Sequence, residues 1–429
     1  MTVTHWKHLK RRHAAYAASV LTVALVALLV GGIAGRRRAP APGTPAVTAT
    51  GAIARYQQTL HDTPGDYRTW ADLGAAYVQQ ARITVDPTYY PKADGALRRS
   101  LALDDTENYP AMVGMAALAN ARHDFAGAVR WGERAKKISP SNPDVFGTLG
   151  DAYTQLGDYP AATAAIGRMT ALQPGVSSFT RASYELEQHG DVAGARRVLE
   201  QALQAAYTPA DVAFCRYYLG ELALHAGDLG QAAEQYGLAR TADPTYVPAL
   251  EGIAKTEALR GDSGSAVRDF QTVVGRIPQP QYVVEYAELL TSLKRGNEAA
   301  RQRQVIDGEQ RLFAANGVTD DLTASEYAAD TGDAAGALAH ARAEWARRRS
   351  VVVADALAWA LHLNGKDTEA LTYARQATRL GWRNAVFYQH KAAIEDAVGD
   401  TGAARADRAT AQRANPHLDP AIPAIGRAT

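Results

Sequence analysis

From residue 123 to residue 400 the chain keeps returning to one short signal. It reads His123-Asp124, Gly157-Asp158, Gly190-Asp191, Gly227-Asp228, Gly261-Asp262, Gly332-Asp333 and Gly399-Asp400, with Lys294 to Asn297 and Gly365 to Asp367 in the two long gaps. An alanine follows each turn at Ala128, Ala162, Ala195, Ala232, Ala266, Ala299, Ala337, Ala370 and Ala404, in steps of 34, 33, 37, 34, 33, 38, 33 and 34 residues. A period this short gives a unit too small to hold a core of its own, so the units must stack and share one. The turn residues also fix the element type. A glycine free to take positive φ closes one helix without strain. Seven Phe in 429 residues, on an alanine-rich background with 47% hydrophobic content, suit close helix packing rather than an aromatic β core.

The segment from Pro143 to Pro174 is the clearest copy. Phe146, Leu149, Gly150 and Tyr153 fall at i, i+3, i+4 and i+7, one face of a first helix. Gly157 ends that helix, Ala162, Ile166 and Met169 line the inner face of a second, and Pro174 follows its end. The spacing predicts that Gly150 faces Ala162, two small residues at a close helix crossing. The Gly-Asp pair is therefore a helix-to-helix turn and not a phosphate loop. The same holds for "GDSGS" at Gly261 to Ser265, which echoes a serine-protease nucleophile segment but sits on the repeat lattice.

Residues 1–38 are different in kind. Ala14 to Ala34 is an uncharged run flanked by Lys7, Lys10, Arg11 and Arg12 on one side and Arg36, Arg37 and Arg38 on the other. As a helix at about 1.5 Å per residue it would span roughly 31 Å, close to the ~30 Å hydrocarbon core of a bilayer. It is expected to be a single transmembrane anchor, with a cleaved signal peptide and secretion as the rival reading. The basic flank favours a cytoplasmic N-terminus, which puts the body outside the cytoplasm. The first 38 residues hold seven Lys or Arg and no acid, so the body has 46 − 7 = 39 basic against 45 acidic residues, a net of −6. That balance lacks the basic footprint of a nucleic-acid binder.

On Phe146, Leu149, Gly150, Tyr153, Ala162, Ile166 and Pro174 the chain resembles the tetratricopeptide repeat (TPR) proteins, of the bacterial membrane-anchored or exported type. The repeat-defining residues are Leu149, Gly150, Tyr153, Gly157, Ala162 and Pro174. The resemblance implies an all-α solenoid of about ten helix-turn-helix units over 67–416. Before it come a basic segment (1–13), the anchor (14–34) and a Pro/Ala/Thr-rich linker with a lead-in helix (35–66); a tail (417–429) follows. The first copy carries about seven extra residues, within "QARITVDPTYY", and the seventh and eighth are joined by a longer helix ending at Asn316-Gly317.

First helices line the concave face in resembled proteins, so a peptide groove is expected at Arg181, Tyr184, Tyr217, Tyr218, Glu221, His225 and Lys255. The carboxylate clamp of chaperone-tail-binding relatives is not implied, since the matching positions include Ala71, Ala75, Gly114, Gly147 and Asp151. The implied function is a membrane-tethered scaffold with a protein or peptide partner, without a cofactor, metal or catalytic site. Its alternatives are an accessory subunit of an enzyme and a cytoplasm-facing adaptor. His189, His225, His340, His362 and His390 lack metal-ligand spacing. Arg347, Arg348 and Arg349 close a second helix, and Cys215, the only cysteine, is read as packing.

Overall fold

The computed structural model describes residues 49–428, and the expected anchor at 14–34 lies outside them. Among the described residues no helix is long and apolar enough to cross a membrane. Those residues form 21 α-helices and a short 3-10 turn, and they carry the repeat as ten antiparallel pairs behind a lead-in helix α1 (Ala49–Asp62). The first five pairs are α2/α3 (Tyr67–Thr84, Tyr89–Leu103), α4/α5 (Tyr109–Ala121, Phe125–Ile138), α6/α7 (Pro143–Leu156, Tyr159–Leu172), α8/α9 (Val176–Gln188, Val192–Gln204) and α10/α11 (Pro209–His225, Leu229–Ala242). The second five are α12/α13 (Val247–Leu259, Ser263–Arg276), α14/α15 (Pro280–Ser292, Gly296–Ala315), α16/α17 (Asp321–Asp330, Ala334–Arg347), α18/α19 (Val351–Leu363, Asp367–Ala377) and α20/α21 (Ala385–Ala397, Thr401–Ala414). The helices pack within each pair, and each pair packs on the next except at the seventh-to-eighth junction, where the contacts are sparse, giving the all-helical repeat solenoid that the tetratricopeptide pattern implies.

The turn chemistry explains the pairing. Gly157, Gly190, Gly227, Gly261, Gly332, Gly365 and Gly399 all have φ between 68° and 86°. Where the repeat lacks glycine, His123 (φ 61°) and Lys294 (φ 58°) take the same left-handed conformation at its cost. The aspartate that follows caps the second helix. Asp124, Asp158, Asp191, Asp228, Asp262, Asp333 and Asp400 each accept the backbone N–H three residues on. In "GDSGS" this is the Ser265 N–H at 3.1 Å, so the motif is a cap.

Two expectations change in detail. A Cβ at Gly150 would first meet Ile166, 2.9 Å from its Cγ1, one helical turn beyond Ala162. Side chains on a helix lean toward its N-terminus, so the residue covering a given spot lies C-terminal to it. Ala162 is itself buried in the same crossing. In the first pair most of the extra residues are helical, and the turn to α3 widens only to residues 85–88. The helical ones lengthen α2 to 18 residues, which then closes on Val85 at φ 52°.

The solenoid coils until its turns touch. Thr319 donates its backbone N–H to the Arg122 carbonyl (3.3 Å), and Arg349 does the same to the Leu156 carbonyl (3.2 Å). The Val351 N–H reaches the Tyr159 hydroxyl (2.9 Å), and Asn415 Nδ2 donates to the Leu224 carbonyl (3.1 Å). Arg348 hydrogen-bonds Gln155 and stacks over Phe125. A Cβ at Gly190 would sit 2.5 Å from the Gly381 carbonyl oxygen. These contacts join the second, third, fourth and fifth pairs to the ends of the seventh, eighth, ninth and tenth. Each of these four pairs thus meets the fifth one after it, so about five pairs complete a turn. The inner face is consequently narrow and largely closed.

Candidate functional site

The first helices turn their polar side chains into this narrow interior, where burial forces every charge to find a partner. Lys255, 2% exposed, donates to Glu221 Oε1 and Oε2 at 2.8 and 2.9 Å and pairs with Glu251 Oε1 at 2.9 Å. Tyr217 and Tyr236 add hydroxyl donors to Glu251 and Glu221. Burial alone would raise Glu221, but Lys255, His225 and the Tyr236 hydroxyl together outweigh it and hold that carboxyl below its ordinary value. Burial raises Glu251, and it raises Glu285 further, where the neighbouring Glu251 adds like-charge repulsion. The Lys255 ammonium, which burial would weaken, is raised because Glu221, Glu251 and Glu285 together outweigh that penalty.

The seven positions expected to form a peptide groove lie in and around this network. Arg181 is 1% exposed and clamps Asp151 through Nε and Nη2, both at 2.8 Å. Tyr217 and Lys255 are buried, while Tyr184, Tyr218, Glu221 and His225 are half-buried. Tyr184 meets Trp382 edge to face at 6.0 Å, and His225 Nδ1 lies 3.0 Å from Glu187. In this closed coil their polar atoms are engaged by the chain itself. The other histidines read from sequence also each meet a carboxylate or carbonyl: His189 with Glu185, His340 with Asp321, His362 with Asp367 and His390 with Asp355. Cys215 is buried beside Phe214 and Ala202, and burial pushes its thiol up to about 12.

The wall from the sixth to the tenth pair holds something that periodicity could not reveal. Residues 417–428 leave α21 and run along it. Ile422 and Ile425 insert among Ala254, Phe270, Tyr286 and Leu290, and Ala428 seats against Trp382 and Phe387. The Ala424 N–H donates to Glu288 Oε2 (2.8 Å), and Asn384 Nδ2 donates to the Ala428 carbonyl (3.0 Å). Arg427 pairs with Asp330 at 2.9 Å and Glu326 at 3.5 Å. Burial pushes Glu288 up to about 8, with Asp330 adding to the rise. It pushes Glu326 up to about 7 against the pull of Arg427. Beside the tail remains a cavity of about 440 Å³, lined by Tyr327, Trp359 and His390 on the wall and by Leu418, Pro420 and Pro423 on the tail. Trp359 and His390 stack at 4.1 Å.

No family model and no curated protein matches the chain. Among solved structures it is similar to the APC/C hetero-tetramer Cut9–Hcn1, at 14% identity over 88% of this chain and 82% of that one, with a TM-score of 0.43. It is also similar to YrrB, described as a TPR protein with an unusual peptide-binding site (16%, 43% and 93%, TM-score 0.30). A third is the human IFIT1 dimer with PPP-AAAA (15%, 85% and 87%, TM-score 0.45). The repeat architecture stands on the helix pairs and turn geometry of the chain itself.

Proposed function

We propose that this chain is a non-catalytic protein-interaction or assembly scaffold, tethered to a membrane through 14–34, with its solenoid outside the cytoplasm. The observation that carries the binding role is the tail. An irregular segment with spaced aliphatic residues is held on the inner wall through both its side chains and its backbone, the mode by which a groove takes a peptide. The tether rests on the length and flanks of the apolar run.

The test is site-specific photo-crosslinking in the native membrane. A photoreactive residue replaces Leu363, which is partly exposed and lines the cavity, or Leu238, partly exposed on the second helix α11. The expected result is a discrete protein adduct from position 363 and none from 238. Equal labelling at both, or none at either, would count against the scaffold reading. Alkaline phosphatase activity of a C-terminal fusion checks the orientation, and its loss with a cytosolic reporter active instead would reverse it.

A further inference from the structure

We propose that the inner wall from α12 to α20 is a receptor for an arginine-bearing aliphatic peptide, and that residues 417–428 are its built-in competitor. This deepens the scaffold reading and rests on it. The partner peptide carries two aliphatic side chains three residues apart and an arginine two further on, the spacing of Ile422, Ile425 and Arg427.

Four observations lead there. The tail lies outside the repeat lattice: the last coil contact is made upstream, by Asn415 and Pro416 against Leu224 and Gly227, so the coil closes without it. Its contacts are those of a ligand, two aliphatic anchors in pockets between pairs and backbone groups bonded by wall side chains. Its one cation meets an excess of acid, since Glu288, Glu326 and Asp330 all face Arg427. A guanidinium suits such a pocket because its planar fork can serve several carboxyl oxygens at once. Finally, the tail underfills its site. The cavity of about 440 Å³ alongside gives a trans peptide room for larger side chains by Trp359 and Tyr327, hence an advantage over the cis segment.

A tail docked for nine-tenths of the time would weaken a competitor about tenfold, because only the open fraction binds. The probe is a fluorescein-labelled peptide of residues 416–428, PHLDPAIPAIGRA, titrated into the detergent-solubilised full chain and followed by anisotropy. Arg427→Glu should set the tail against three acids and release it, so the peptide should bind this variant about tenfold or more tightly than wild type. A peptide with glutamate in place of its arginine should bind neither chain. Pairing Arg427→Asp with Asp330→Arg should re-dock the tail and exclude the peptide again. Hydrogen exchange on the unaltered chain gives a reading free of variants: saturating peptide should remove protection from 417–428 and leave it at the Leu156–Arg349 contact. Equal binding to wild type and Arg427→Glu, or tail protection unchanged at saturation, would overturn the proposal. If the Leu363 photo-adduct still forms in that case, the scaffold survives and only the tail's role falls.

Discussion

At the residue scale, one conformation is used for two purposes. Gly157 and Gly332 have nearly equal φ values, 81° and 86°. A Cβ at Gly157 would lie 2.4 Å from the Arg349 carbonyl oxygen, whereas at Gly332 it would meet nothing within 4 Å. Alanine at either site incurs the left-handed penalty of about 1–2 kcal/mol, but only at Gly157 must it also push apart two turns of the coil. Gly157→Ala should therefore lower the urea midpoint clearly more than Gly332→Ala does, and equal losses would mean that the coil contact adds nothing to stability. The interior charges follow different logic. Lys255→Met leaves Glu221 and Glu251 buried without their cation, which should destabilise the chain by about 3–5 kcal/mol. Adding Glu221→Gln should recover part of that loss in the same urea titration, because the amide needs no counter-charge.

At the element scale, what could be read in sequence was what is local. The Gly-Asp turn is a helix stop and a helix start in adjacent residues, so the end of most first helices and the start of their partners are written within a few positions of each other. Gly150 shows where that reading lost resolution. Periodicity placed it on the right face, but the lean of side chains along a helix moved its contact from Ala162 to Ile166. The extra residues of the first pair were visible as a surplus, yet nothing in them said helix rather than loop until α2 absorbed most of them. The crossing itself permits a direct test. Ala162 is 1% exposed, so Ala162→Leu should force α6 and α7 apart at about 1–3 kcal/mol, the usual range for overpacking. An unchanged thermal midpoint would show that the crossing has slack.

At the scale of the whole molecule, the features that shape function were beyond sequence reading because their partners are far apart or occur once. The contact from Arg349 to Leu156 joins residues with no shared local pattern, and the tail belongs to no period. Buried carboxyls, two in the tail's pocket and Asp144 at the start of α6, make global stability depend on pH. Burial raises Glu288 to about 8, Glu326 to about 7 and Asp144 to about 7, against about 4 in an unfolded chain. A carboxyl raised on folding holds its proton in the native state. Its contribution is thus whole below the unfolded value and is lost as pH rises through 7 and 8. Glu221, held low, works in the opposite sense, and its share is lost in acid. Urea midpoints should accordingly fall between about pH 5 and pH 8 and level off above that. Glu288→Gln should flatten that fall, since the amide oxygen can still accept the Ala424 N–H while its NH₂ supplies the donor that a protonated Glu288 offers Asp330. An equal slope in the variant would assign the pH dependence to groups other than the tail's acidic pocket.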